Sequence, residues 1–324
     1  MTIGRRILLQ AAAGLLAMPA RADATYPTRP VRFLLAQAAG SSVDLLIRLI
    51  GSKLSDAWNA QVIVENRPGA NGIIGMELAA HAKPDGYTLS VAVPSAMTMN
   101  PVIYKHLPYR PLEDFAAVTQ MTTITFALVV NPSLPVRSVA ELITLARTRP
   151  GALNYSSAGI GNQQHLAAAL FVQRAGVALT HVPNKGETPA LLDVIAGETQ
   201  LMFTTMPAAQ PHIQSGKLRL LAVCGPTRSP AFPDIPTLVE SGLPDLIVTG
   251  WTGIIAPAGV PAAIITRIQE SVAHELAAPD LRARLSEQGA DPVGSTPADF
   301  TAFLRAEAAK WSKVVEDAGL AGTQ

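Results

Sequence analysis

Two short runs of small residues are the places in this chain where donors can gather around an anion. The first is Ala38-Ala39-Gly40-Ser41-Ser42-Val43-Asp44, and the second is Ser156-Ser157-Ala158-Gly159-Ile160-Gly161-Asn162-Gln163. Each follows an apolar run of β type and precedes a helical pattern. Small residues let backbone N–H groups approach a ligand closely, and the first turn of a helix leaves N–H groups unpaired and partly positive. Such a junction holds a carboxylate or phosphate without an arginine. A structural reading competes at each: Ser41-x-x-Asp44 matches a capping box, and Gly159 and Gly161 ease a turn. Two junctions of this kind, one in each half of the chain's organisation, point to a shared anion cleft.

Other chemistry is hard to find. The sequence holds no G-x-S-x-G elbow, no P-loop and no H-E-x-x-H. Gly159-Ile160-Gly161 begins like a dinucleotide fingerprint, but Gln164 stands where the third glycine or alanine belongs. The six histidines (81, 106, 165, 181, 212 and 274) include no pair at metal-ligand spacing and read as surface or structural residues. Cys224 is the single cysteine, which excludes a disulfide framework within the chain and a cysteine metal site. It reads as a small buried hydrophobe in the apolar run 218–224. An exported serine hydrolase using Ser42 or Ser157 with His165 lacks a recognisable base and orienting partner. The expectation is therefore a protein that is not an enzyme and takes neither metal nor cofactor.

The elements that must position the junctions alternate along the chain. Apolar runs predict strands over 31–36, 62–65, 88–93, 125–131, 153–156, 179–182, 200–203, 218–223 and 246–256. Helical spacing predicts helices over 45–58, 73–82, 138–148, 163–175, 187–196, 207–215, 237–241, 261–277, 280–288 and 297–318. Strands separated by helices imply βαβ units, mostly parallel sheets and helices on both faces. With 324 residues, 48% hydrophobic, 15% charged and a net charge of +1, disorder and a nucleic-acid footprint are excluded. That length predicts two lobes, 25–126 with 249–324 and 127–248. Strands near 124–130 and 246–252 would join them as a hinge, with a ligand in the cleft between. Residues 1–24 differ in kind: Arg5-Arg6, an apolar stretch over 7–18, then small residues around Ala22 and Ala24. This is a secretory signal peptide, cleaved after Ala22 or Ala24, and its adjacent arginines resemble a twin-arginine signal.

Motifs then accumulate along the whole mature chain. They include Val64-Glu65-Asn66-Arg67-Pro68-Gly69-Ala70-Asn71-Gly72, Lys83-Pro84-Asp85-Gly86-Tyr87-Thr88-Leu89, Ser157-x-Gly159-x-Gly161 with His165-Leu166, and His181-Val182-Pro183-x-Lys185-Gly186. Pro233-Asp234-Ile235-Pro236-Thr237 and Trp251-x-Gly253 with Ala256-Pro257-Ala258-Gly259 continue the pattern. Together they resemble the Bug family, the extracytoplasmic solute receptors of tripartite tricarboxylate transporters. The resemblance implies an α/β, two-lobed periplasmic-binding-protein fold of type II-like form that closes on a small carboxylate. It implies a monomer in the periplasm that hands its ligand to the membrane permease subunits or, alternatively, signals to a membrane sensor kinase. Carried over by position, the ligand-binding residues are Gly40, Ser41, Ser42 and Asp44 in the first lobe. In the second they are Ser157, Gly159, Gly161, Asn162, His165, Lys185 and Asp193, with bridging waters completing the contacts. Asp44 is the residue expected to receive a ligand amino or hydroxyl group, unless it only caps the helix.

The chain departs from the family pattern around this cleft. Gln37, Ala39, Gly40 and Ser41 replace an aromatic residue followed two positions later by Pro-Gly-Gly, which removes an aromatic lid and adds a hydroxyl donor. Asn184 stands where a tyrosine is usual and Thr204 where an acidic residue is common. Asn66-Arg67-Pro68-Gly69 reads as a structural turn, Trp251 as a packing residue, and the polar face Arg305, Glu307, Lys310, Lys313 and Glu316 as solvated surface.

Overall fold

The structure, a computed structural model, describes residues 26–287 and 289–324. The expected signal peptide and both cleavage sites lie outside these residues. The first half runs β1 (Val31–Leu35), α1 (Ser42–Trp58), β2 (Val62–Asn66), α2 (Ile73–Ala80), β3 (Thr88–Ala92), α3 (Asn100–Ile103) and β4 (Phe115–Val130). Then come α4 (Val139–Thr148), β5 (Asn154–Ser157), α5 (Gln163–Ala175), β6 (Thr180–Pro183), α6 (Glu187–Ala196), β7 (Leu201–Thr205), α7 (Met206–Gln214) and β8 (Arg219–Val223). The chain ends with β9 (Thr249–Pro257), α8 (Ala262–Ala277), α9 (Pro279–Glu287), β10 (Ala290–Pro292) and α10 (Pro297–Asp317).

The strands form two sheets that share β4. In the first sheet β2, β1 and β3 are parallel, with Phe33 in register with Val64 and Leu89. Antiparallel β9 follows, then the first part of β4, which also carries β10. In the second sheet β6, β5 and β7 are parallel, and the last part of β4 lies antiparallel to both β7 and β8. The parallel strands are those joined by helices, as right-handed crossovers require. β4 changes sheets between Thr125, opposite Thr249 of β9, and Phe126, opposite Thr205 of β7. The result is a two-lobed α/β protein, each lobe built on its own sheet.

Local sequence explains the helices that carry the site. α1 places Leu46, Ile47, Ile50 and Leu54 on one buried stripe against Phe33, Leu89 and Ile254. It stops at Asn59, which adopts a left-handed conformation with φ 47°. α5 buries Leu166, Ala167 and Phe171 beside Leu128 and Phe203 of the second sheet, and Gly176 ends it.

Some expectations need correction. The strand expected over 125–131 begins ten residues earlier, at Phe115. Register shifts at Ala117/Thr119 and Gln120/Thr122 break its alternation, so the sequence shows no period of two there. Residues 237–241 form a bridged turn rather than a helix, because Thr237 pairs with Val223 and its N–H is taken by Glu240. The strand expected from 246 starts at Thr249. The helical segment over 95–103, with Pro101 in its first α-turn, was not expected at all. α10 also crosses the expected division of the chain: Phe300 and Leu304 pack in the first lobe, whereas Trp311 and Val315 join the core of the second sheet.

Candidate ligand-binding site

Four helices begin at one cavity. Ser42 and Val43 open α1, Gln163 and Gln164 open α5, Glu187 and Thr188 open α6, and Thr205 caps α7; all of them line a space of about 900 Å³ between the lobes. The rest of the wall is largely apolar, with Ala36, Val93, Ile124, Phe126, Ile160 and Trp251. Helix starts gathered around one space make it favourable for negative charge. Lys185 and Glu187 are the only charged side chains among the described lining residues.

The first junction is organised by Asp44. Ser41, with φ −70°, caps α1 by accepting the Asp44 N–H at 3.3 Å, and Asp44 Oδ2 accepts the Gly40 N–H at 2.9 Å. The expected capping box is thus displaced by one residue, and the positive φ of the turn falls on Gly40. Asp44 Oδ1 takes the Arg48 Nε at 3.0 Å and the Asn66 amide at 2.9 Å. Burial opposes its charge, but the bonds from Arg48, Gly40 and Asn66 outweigh burial and hold its carboxyl below the usual aspartate range. Asp44 does not line the cavity. Its carboxylate holds the loop through these bonds. Asn66, expected only in a turn, is part of that support.

The second junction is held from beneath. Ser157 meets His181 Nε2 at 2.7 Å and donates to the Gly159 carbonyl at 3.0 Å. His165 Nδ1 accepts the Gly161 N–H at 2.9 Å, and the two imidazoles stack 3.9 Å apart with Tyr155 against His181. Desolvation holds both histidines neutral, their pKa lowered to about 4, with the neighbouring imidazole adding to the effect at His181. Asn162 caps α5 through the His165 N–H, and Gln164 Oε1 accepts the Ala158 N–H. Gly161 has φ +74° and lies against Ile103, leaving no room for a side chain.

Of the expected residues, Ser41, Ser42, Gly159, Asn162 and Lys185 line the cavity. Gly40, Asp44, Ser157, Gly161, His165 and Asp193 stand behind it, and Asp193 accepts from Asn184, which does line it. The serine–histidine pairs expected of a hydrolase do not assemble: Ser42 donates to Glu187, and Ser157 meets His181 rather than His165. Trp251 both packs and lines the cavity, and its indole N–H donates to Glu307 at 3.1 Å, as does that of Trp311 at 2.9 Å. Glu307 is therefore a half-buried acceptor at the edge of the polar face, paired on its outer side with Lys310. Among the described residues no group of three or more His, Cys, Asp or Glu side chains is placed to hold a metal, and no helix is long and apolar enough to cross a membrane.

The residue the sequence did not single out is Glu187. Its Oε1 accepts from Gln164 at 2.9 Å, Thr204 at 3.0 Å, and the Thr205 hydroxyl at 2.8 Å, and its Oε2 accepts the Ser42 hydroxyl from the other lobe at 2.7 Å. The carboxylate beside Thr204, where the family commonly has an acid, thus arrives from α6. The available signal was its place immediately after Lys185-Gly186 at the expected start of the helix over 187–196.

The profile of the tripartite tricarboxylate transporter family receptor matches residues 46–320. BugT from Bordetella pertussis is 35% identical over 305 residues, covering 94% of this chain and 93% of its own. An R. palustris protein solved with adipate is 36% identical with a TM-score of 0.89, covering 91% of this chain and 99% of that one. MatC from Rhodopseudomonas palustris, solved with bound malate, is 30% identical with a TM-score of 0.84, covering 90% of this chain and 100% of that one.

Proposed function

The chain belongs to the tripartite tricarboxylate transporter receptor family, and from that premise we propose that it captures a small carboxylate between its lobes in the periplasm and delivers it to a membrane permease. One observation carries the reading: four helix starts, two hydroxyls (Ser41, Ser42) and the Gly159–Asn162 turn meet at one cavity lined from both lobes. The helix starts and the Ser41 hydroxyl supply donors for a carboxylate, and the apolar wall accepts a hydrocarbon body. Gly159, with φ +141°, brings bare backbone to the cavity wall. Relatives solved with adipate and malate support an acid of similar size. Because the donors come from both lobes, a ligand contacts the closed form more than the open one, and that difference drives closure.

The test is the small molecule kept by mature protein purified without denaturation. Native mass spectrometry should find an organic acid in stoichiometric amount, and adding it back to stripped protein should raise the unfolding temperature. No retained acid, together with no stabilisation by any member of a broad carboxylate panel, contradicts the proposal. Delivery is tested by uptake of the same acid, which should be lost when the gene is deleted. Intact uptake with a lost transcriptional response would assign the protein to a sensor instead.

A further inference from the structure

We propose that Glu187 selects ligands that carry a positively charged nitrogen in addition to a carboxylate, an inference that rests on the cleft being a carboxylate site. Glu187 is on the cavity wall. Its Oε1 is saturated by Gln164, Thr204 and both the hydroxyl and the N–H of Thr205, whereas Oε2 accepts from Ser42 alone. Each carboxylate oxygen offers roughly two lone pairs, so Oε2 retains an acceptor position. All five donors are neutral, and no ion pair among the described residues includes Glu187.

A second observation points the same way. Gln37 also lines the cavity, and its side-chain oxygen is buried with no hydrogen-bond partner. An open acceptor position on Oε2 and an unpartnered amide oxygen beside the same cavity both favour a ligand that brings donors. A ligand ammonium satisfies Oε2 with a charge-assisted bond and neutralises the one carboxylate on the wall. A second ligand carboxylate in the same place meets like charge, and a methyl group offers no donor to the open acceptor position of Oε2. Asp44, expected to receive a ligand amino or hydroxyl group unless it only caps the helix, already accepts from Gly40, Arg48 and Asn66, which leaves Glu187 as the carboxylate on the wall.

The test compares acids of equal chain length that differ only at the far end or by one amino group. Wild-type mature protein and Glu187→Gln are titrated calorimetrically with 6-aminohexanoate against adipate, 4-aminobutanoate against succinate, and L-glutamate against glutarate. The amide keeps an acceptor for Gln164 and Thr205, and circular dichroism with thermal unfolding checks the fold. The best amino acid of the set should bind wild type about tenfold or more tightly than its matched diacid, and Glu187→Gln should remove most of that preference. A wild-type protein that prefers the diacids, or a preference unchanged in Glu187→Gln, overturns the inference while leaving the carboxylate reading standing. If the variant fails to fold, the wild-type pairs decide alone. Failure of both ligand classes, and of every acid in the broad panel, contradicts the carboxylate reading itself.

Discussion

The junction before α1 is braced by its own helix and the neighbouring strand, whereas the junction before α5 rests on a stack of rings from its own helix and from the strands on either side of it in sequence. Gly40, Asp44 and Arg48 lie within two helical turns, and Asn66 ends the adjacent β2. The second junction needs Tyr155 of β5, His165 of α5 and His181 of β6, brought together only when the second sheet forms. Similar small-residue sequences therefore end in different supports, one ionic and local, the other aromatic, neutral and distant. The difference teaches that a small-residue loop is specified by what lies behind it, and it predicts different weaknesses.

The largest expected effect is on the second support. His165 and His181 are held neutral, so between about pH 4 and 6.5 the unfolded chain binds more protons than the folded one. Their contribution to stability is complete above 6.5 and is lost as the pH falls towards about 4. The loss should be on the order of a few kcal/mol, because each tenfold change in proton affinity is worth about 1.4 kcal/mol. His181, partly open to water, contributes the smaller share. Urea midpoints measured across that interval should fall steeply for wild type and less steeply for His181→Asn, which keeps a hydrogen-bonding group near Ser157. Equal slopes in the two proteins would remove the imidazole stack from the account.

A smaller effect belongs to the first support. Ser41→Ala removes the cap of α1 and should destabilise the protein by about 1 kcal/mol. It also removes a hydroxyl on the cavity wall, and affinity for the retained acid should weaken by roughly 1.5–3 kcal/mol. The acid dependence of stability should be unchanged, because the two supports share no residue. Calorimetry showing wild-type affinity would leave Ser41 as a cap alone, and a changed pH profile would break the independence of the two junctions.

Legibility followed the range of the interactions. Both junctions and most helices were readable because small residues, caps and apolar stripes are local patterns: Ser41 and Asn162 cap the helices that their positions imply. β4 was read short because its two bulges destroy the alternation a strand normally shows. The histidine stack was invisible because His165 and His181, far apart in sequence, meet only through the pairing of β5 with β6. Glu187 was passed over for a related reason: its partners Ser42, Gln164, Thr204 and Thr205 come from separate segments of the chain. Glu307 shows the converse, a charged residue on a polar helix face that also accepts from two indoles beneath it.

Closure of the two lobes on a carboxylate is the centre of this account, and solution scattering tests it most directly. Mature protein would be stripped by unfolding and refolding, then measured with and without the acid it retains when purified natively. The radius of gyration should be smaller at saturation, because donors on both sides of the cavity are satisfied together only when the lobes meet. An unchanged radius of gyration, while calorimetry reports full occupancy, would contradict it.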